Sequence, residues 1–121
     1  MKALSSTYAA ATWQPPLVAL LGLGVNPRDL TPEAMRWLDR AEILVGGKRH
    51  LQDFAAHPAD KIQLQAPLEQ RLETINKISM ERRTLVLASG DPLFFGIGRR
   101  LVELYGRERL HVLPNISAVQ H

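Results

Sequence analysis

The sequence contains no cysteine. Disulfide bonds, thiolate nucleophiles and cysteine metal sites are therefore excluded, and the composition suits a reducing compartment. Long apolar runs are also missing: the first sixteen residues, MKALSSTYAAATWQPP, hold no stretch long enough for a secretory signal or a membrane span. We therefore expect a cytoplasmic protein without a membrane partner.

Familiar phosphate and nucleophile motifs are missing as well. The first glycine turn, Gly22-Leu23-Gly24, is followed at position 27 by proline, where a dinucleotide fingerprint needs a small residue and a P-loop needs glycine. A phospho-receiver domain needs acidic residues where the first strand ends, and this chain has Leu20, Leu21 and Gly22 there. The nucleophile elbow G-x-S-x-G does not occur.

Histidines are few and scattered. The four stand at positions 50, 57, 111 and 121, on different predicted elements and without a pair at helical spacing. We therefore expect no metal site. His111 lies within a predicted strand, and we interpret it as a packed residue and not as a catalyst.

The charge is modestly basic, with 15 Lys and Arg against 12 Asp and Glu. Eleven of the fifteen are arginine, whose planar fork suits a carboxylate or phosphate ligand. The basic residues occur singly or in pairs and lack the interleaved aromatics of a nucleic-acid binder. We expect no nucleic-acid partner, and most of these charges to be solvated surface.

Apolar runs and amphipathic stretches alternate along the chain from Leu17 onwards. Strands are predicted at Leu17 to Leu21, Ile43 to Val45, Ile62 to Leu64, Thr84 to Ala88 and Leu110 to Leu113, with a helix between each pair. Such alternation predicts an α/β fold: an open, mainly parallel five-stranded sheet with helices on both faces. We assign residues 1–14 to a flexible tail and residues 15–121 to one α/β lobe.

The first helix has the clearest start signal. Thr31 can cap it, Pro32 occupies the first helical position, and the apolar residues that follow recur on one face. That predicted core face consists of Ala34, Met35, Leu38 and Ala41.

Three glycine-rich turns follow predicted strands, at residues 22–26, 46–47 and 89–98. In open parallel sheets, ligands bind beyond the carboxyl ends of the strands, so these turns are the candidate site. Asp91, in SGDP, has two interpretations that the residues leave equally open: a functional acid, or a turn residue before proline. Phe94 and Phe95 either wall the site or belong to the core.

The final residues resemble a helix start without its helix. Asn115 to Ser117 can act as a cap, and Ala118 to His121 provide one turn, which cannot form a stable helix. We therefore expect the sequence to be part of a longer protein.

Three stretches of the chain are informative together: LLGLGVNPRDLTPEAMRWLDRAEILVGGKRHL (20–51), LASGDPLFFGIGRRL (87–101) and VLPNISAVQ (112–120). In their order and spacing they resemble the tetrapyrrole methylase family. Within that family they are most similar to the precorrin-6Y C5,15-methyltransferase branch of cobalamin biosynthesis. The resemblance implies the N-terminal lobe of a two-lobe enzyme, with S-adenosylmethionine in the cleft between lobes and a tetrapyrrole (precorrin) substrate methylated at C5 and C15. The C-terminal lobe is absent from this chain, so we expect the fragment alone to be inactive.

The resemblance also implies site residues. The cofactor would be bound by Gly90, Asp91, Pro92, Leu93, Ile116 and Ser117. The substrate would be bound by Gly22, Gly24, Arg28, Lys48 and Arg49, although the three basic residues also fit a solvated surface. One departure concerns the first loop, where many relatives have G-x-G-P-G-D and this chain has Val25, Asn26 and Pro27 after Gly24. The sequence leaves open whether Asp29 takes the place of the acid of that loop.

A second hypothesis belongs to another class of protein. A small α/β module of this length can bind a nucleotide or a partner protein without catalysis. Homo-oligomers are a further expectation, since relatives dimerise and the absent lobe would leave an apolar face exposed.

Overall fold

Five strands form one sheet in the computed structural model of the chain, which describes residues 10–23, 30–65, 67–89 and 95–113. The strands are β1 (Val18–Leu23), β2 (Ile43–Gly46), β3 (Asp60–Gln63), β4 (Thr84–Ser89) and β5 (Leu110–Leu113). Their order across the sheet is β3-β2-β4-β1-β5, and every pairing is parallel. The predicted parallel five-stranded α/β fold is confirmed.

Helices connect these strands. They are α1 (Pro32–Arg40), α2 (Lys48–Asp53), α3 (Leu68–Ser79) and α4 (Phe95–Tyr105). One helix follows each of the first four strands, as a parallel sheet requires. None of the described helices is long and apolar enough to cross a lipid bilayer.

Burial follows the position of each strand in the sheet. In β4, at the centre, all residues from Thr84 to Ala88 are buried, which explains its uninterrupted apolar sequence. In β3, at one edge, Asp60 and Gln63 are exposed. The sequence alternation in this region predicts a peripheral strand, and the structure confirms it.

Two hydrophobic clusters cover the two faces of the sheet. One cluster packs α1 and α2 against side chains that include Ala19, Leu21, Leu44, Leu85 and Leu87. The other packs α3 and α4 against side chains that include Val18, Leu20, Val45, Val86 and Ala88. Because successive residues of a strand point to opposite faces, each central strand contributes to both clusters. The prediction of helices on both faces is confirmed.

The start of α1 is confirmed, but its buried face differs from the prediction. The Thr31 hydroxyl accepts a hydrogen bond from the Ala34 N–H at 3.1 Å, and Pro32 is the first helical residue. Met35, predicted to lie in the core, is 50% exposed, whereas Trp37 is completely buried. The reason is helix geometry: with 3.6 residues per turn, Trp37 lies on the same face as Ala34 and Leu38, whereas Met35 points about 160° away from Trp37.

The segment before β1 is predicted to be part of a flexible tail, residues 1–14, but its last residues are ordered and packed. Residues Ala10–Thr12 form a short 3-10 helix, and Trp13 is 1% exposed. The Trp13 ring lies 5.0 Å from the Trp37 ring between centroids, and its Nε1 donates to the Leu17 carbonyl at 2.7 Å. Residues 1–9 lie outside the described residues.

Arginine side chains tie the elements together at the amino ends of the strands. Arg109 donates to the Asn76 Oδ1 at 2.6 Å and to the Ser79 hydroxyl at 2.8 Å, both on α3. Arg83 donates from Nε to the Arg40 carbonyl at 2.7 Å. Hydrogen bonds between elements therefore close this end of the sheet.

Candidate functional site at the carboxyl edge of the sheet

The three glycine-rich turns follow three neighbouring strands. β4 lies between β2 and β1, and the parallel register aligns Leu23 with Ser89 and Val45 with Val86. The carboxyl ends of these strands therefore meet at one edge of the sheet. The three strand ends that lead into the glycine-rich turns therefore lie together, as the sequence predicts.

The direction of the connections makes this edge a suitable place for a ligand. The chain leaves β1 and β2 towards the face covered by α1 and α2, and it leaves β4 towards the face covered by α4. The connection after β4 therefore lies on the opposite face of the sheet from the connections after β1 and β2, the two strands beside it. Divergence of this kind opens a crevice beyond the strand ends, where open α/β sheets bind their ligands.

Gly22 borders open space. It is partly exposed, and a β-carbon built at this position would have no atom within 4 Å. Internal packing therefore does not require glycine at position 22. An incoming molecule that approaches the main chain closely would require it.

Gly46 has the opposite environment. It is buried, and a β-carbon at this position would lie 3.2 Å from the Leu87 Cβ and 3.6 Å from the His50 Cβ. Glycine at this position lets the first turn of α2 pack closely against β4. Gly46 therefore has a structural role at this edge.

Lys48 and Arg49 occupy the first turn of α2, directly after the Gly46-Gly47 turn, and both are exposed. Their placement at the carboxyl edge, near the ends of β2 and β4, fits the sequence assignment to substrate. Two cations at the mouth of a crevice can pair with carboxylate groups of an anionic ligand.

His50 also lies near this edge, and no role is predicted for it from the sequence. The side chain is half-buried, and burial is the main cause that lowers the pKa of the imidazole. The charge of Arg49 also lowers that pKa, and Asp53 opposes the shift. His50 is therefore neutral at neutral pH, and no spacing or motif in the sequence indicates its environment.

All six predicted cofactor residues, and two of the five predicted substrate residues, lie beyond the described strand ends. Gly24 and Arg28 follow β1, Gly90 to Leu93 follow β4, and Ile116 and Ser117 follow β5, and all lie outside the described residues. The side chains of Phe94 and Phe95 lie outside them as well. For these residues the sequence assignments stay predictions.

Histidine 111 is packed, as expected from the sequence. Its ring stacks on Trp37 with centroids 4.6 Å apart and an interplanar angle of 26°. Burial lowers the pKa of His111, and the carboxylate of Glu33 opposes the shift. Within the described ranges, no three histidine and carboxylate side chains cluster so as to hold a metal ion.

Comparison with known proteins gives the family. The sequence profile of the tetrapyrrole (corrin/porphyrin) methylases matches residues 17–121. The chain belongs to the tetrapyrrole methylase family. The family resemblance expected from the sequence motifs is therefore confirmed.

Relatives within this methylase family carry related names. A cobalt-precorrin-7 C(5)-methyltransferase from Salmonella typhimurium is 42% identical over 106 residues, which are 87% of this chain and 52% of the relative. A decarboxylating precorrin-6Y C(5,15)-methyltransferase from Mycobacterium tuberculosis is 32% identical over 108 residues, 85% of this chain and 26% of the relative. The chain thus spans about half the length of the shorter relative and a quarter of the longer one.

The fold also matches a solved methylase. The crystal structure of a precorrin-6Y methylase from Archaeoglobus fulgidus aligns with a TM-score of 0.62 and 26% identity, over 87% of this chain and 55% of that protein. The shared fold agrees with the parallel sheet described above.

Proposed function

We propose that the full-length protein is an S-adenosylmethionine-dependent methyltransferase acting on a precorrin of cobalamin biosynthesis, and that this chain supplies its N-terminal lobe. The observation that carries the proposal is the convergence of the ends of β1, β2 and β4 on one edge, with connections that diverge on either side of β4. The names of the relatives support the substrate class.

The residues at this edge suit methyl transfer by positioning. S-adenosylmethionine, when bound, supplies a methyl group already activated on a sulfonium. The protein must hold the acceptor carbon in line with that methyl and close to it, which needs little acid-base machinery. A site built from main-chain turns, with open space beside Gly22, meets this need.

In the proposed site, the turn after β4 and the turn after β5 hold the cofactor. Among the residues assigned to it, Asp91 carries the single negative charge, so it would orient the cationic donor or accept hydrogen bonds from main-chain amides. Gly90, Pro92, Leu93, Ile116 and Ser117 would shape the cleft around it.

The turn after β1 and the first turn of α2 would hold the tetrapyrrole. Gly22 and Gly24 allow close approach of the substrate to the main chain, and Arg28, Lys48 and Arg49 supply charges for its carboxylates. C5 is the carbon named in both relatives, and C15 is named in the longer one. We propose C5 and C15 as the acceptor carbons.

The test is methyl transfer by the full-length gene product. Precorrin substrate and S-adenosylmethionine are incubated with the protein, and mass spectrometry counts the methyl groups transferred. One or two added methyl groups support the proposal and show whether one carbon or two are methylated. No methyl transfer and no cofactor binding by a folded protein would contradict it and favour the non-catalytic module.

Asp91→Asn provides a residue-level arm of this test. We expect the variant to lose roughly tenfold or more in affinity for S-adenosylmethionine, because a charge-assisted hydrogen bond is removed. Asp39→Asn is the matched control: Asp39 is exposed near the end of α1, away from the carboxyl edge, and should bind as wild type.

A further inference from the structure

Side chains from three parts of the chain meet around Trp37, on the face of the sheet covered by α1. Trp13 and His111 place their rings 5.0 and 4.6 Å from the Trp37 ring, between centroids. The Trp37 Nε1 donates a hydrogen bond to the Glu33 Oε2 at 2.8 Å. We refer to Glu33, Trp13, Trp37 and His111 together as the Trp37 stack.

The stack joins two elements that lead directly into predicted site turns. Helix α1 follows the turn after β1, and Glu33 lies in its first helical turn. His111 lies in β5, two residues before the strand ends at Leu113, and residues 114–117 follow. The Trp37–His111 contact therefore connects the element that leaves one turn with the element that enters the other.

The contacts are suited to holding these elements in one arrangement. Trp37 is fully buried, and Trp13 is anchored by its hydrogen bond to the Leu17 carbonyl at the start of β1. The hydrogen bond from Trp37 is the main cause that lowers the pKa of Glu33, so the carboxylate stays charged and accepts that bond near neutral pH. Wide, buried rings leave little freedom for α1 to shift along β5.

We propose that the Trp37 stack is a positioning element of the methyltransferase site. By fixing α1 against β5, it sets the distance between the start of α1, which follows the turn assigned to substrate, and the end of β5, which leads into the turn assigned to cofactor. The proposal rests on the proposed function, in which both turns border one cleft. The stack itself touches neither ligand and acts through the two turns.

The test compares His111→Ala with His111→Phe in the full-length protein. Alanine removes the ring that stacks on Trp37, whereas phenylalanine keeps a ring at that position. Tyr105→Phe is the control, since it deletes a buried hydrogen bond on the opposite face of the sheet. Calorimetry measures the affinity for S-adenosylmethionine, and hydrogen exchange is measured in peptides covering residues 24–30 and 114–121.

We expect H111A to lose about tenfold in affinity for S-adenosylmethionine and to exchange faster in both peptides. H111F should restore both properties, and Tyr105→Phe should leave both unchanged. A folded H111A with wild-type affinity and wild-type exchange would overturn the proposal, as would an equal effect of Tyr105→Phe.

A second pair of variants, at Glu33, tests the proposal without changing a side chain of the core. The Glu33 side chain is 48% exposed, so Glu33→Ala removes the acceptor of the Trp37 N–H without opening the core. We expect Glu33→Ala to weaken the binding of S-adenosylmethionine and to speed exchange in both peptides. Glu33→Gln keeps an acceptor oxygen and should restore both properties. If wild type itself fails to bind S-adenosylmethionine, the proposed function fails, while the exchange measurements still decide whether the stack couples the two turns.

Discussion

Tyrosine 105 illustrates how one polar atom is accommodated in the core. Its ring is buried, its hydroxyl donates to the Leu72 carbonyl at 2.8 Å, and burial raises its pKa to about 12. We expect Tyr105→Phe to lower the free energy of unfolding by about 1 kcal/mol, the usual net value of one buried hydrogen bond. Urea unfolding measures the change, and an unchanged midpoint would show that the hydroxyl contributes nothing.

Two glycines on separate strands of the sheet form a matched pair for mutagenesis. Gly46→Ala would bring a β-carbon to 3.2 Å from the Leu87 Cβ, which cannot yield because Leu87 lies in the central strand. We expect a loss of about 1 kcal/mol in stability. Gly22→Ala meets no atom within 4 Å and should leave the melting temperature nearly unchanged while it weakens substrate binding. Equal melting temperatures for both variants would refute this difference.

Two histidines determine the direction in which the folding stability changes with pH. The pKa values of His50 and His111 are lowered in the folded protein from the ordinary value of 6.5, mainly by burial. Between the folded pKa and 6.5 the unfolded chain binds more protons, so stability is complete above pH 6.5 and falls as the pH drops below it. We expect His111→Phe to flatten this fall, measured by urea unfolding between about pH 5 and 7. An identical slope in wild type and variant would contradict it.

At the scale of elements, sequence patterns predict the strands and helices well because each is marked by local chemistry. Thr31 and Pro32 fix the start of α1, and the uninterrupted apolar run of β4 indicates a central strand. The ring contacts of Trp37 could not be predicted, because Trp13 and His111 come from distant parts of the chain. For the same reason, the burial of Trp13 within the segment 1–14 could not be predicted.

The segment before β1 should therefore contribute to stability. We expect Trp13→Ala to cost about 3 kcal/mol, since it removes a buried indole and leaves Trp37 with a cavity. Trp13→Phe keeps a ring but loses the hydrogen bond to the Leu17 carbonyl, and should cost about 1 kcal/mol. Chemical unfolding of the two variants provides the comparison. Wild-type stability of Trp13→Ala would mean that the segment does not hold to the core in solution.

At the scale of the whole molecule, the edge that carries the candidate site could be predicted, but the full set of residues in that site could not. Parallel topology follows from the alternation of strands and helices, and topology alone brings the ends of β1, β2 and β4 together. Among the residues predicted to bind substrate, Gly22, Lys48 and Arg49 are described and lie at this edge. The cofactor assignments depend instead on the family motifs, because main-chain turns carry no side-chain pattern from which a ligand can be read.

The length of the relatives leads to a final prediction. The chain spans 52% of the cobalt-precorrin-7 methyltransferase and 55% of the solved precorrin-6Y methylase. If the cofactor lies between two lobes, residues 1–121 alone offer only part of the surface that binds it. We expect them to bind S-adenosylmethionine at least about a hundredfold more weakly than the full-length gene product, because affinity falls tenfold for each decrease of about 1.4 kcal/mol in binding free energy. Titration calorimetry on both proteins measures the ratio, with circular dichroism to establish that the shorter one is folded. Equal affinities would place the whole cofactor site within these 121 residues and contradict a cleft shared between lobes.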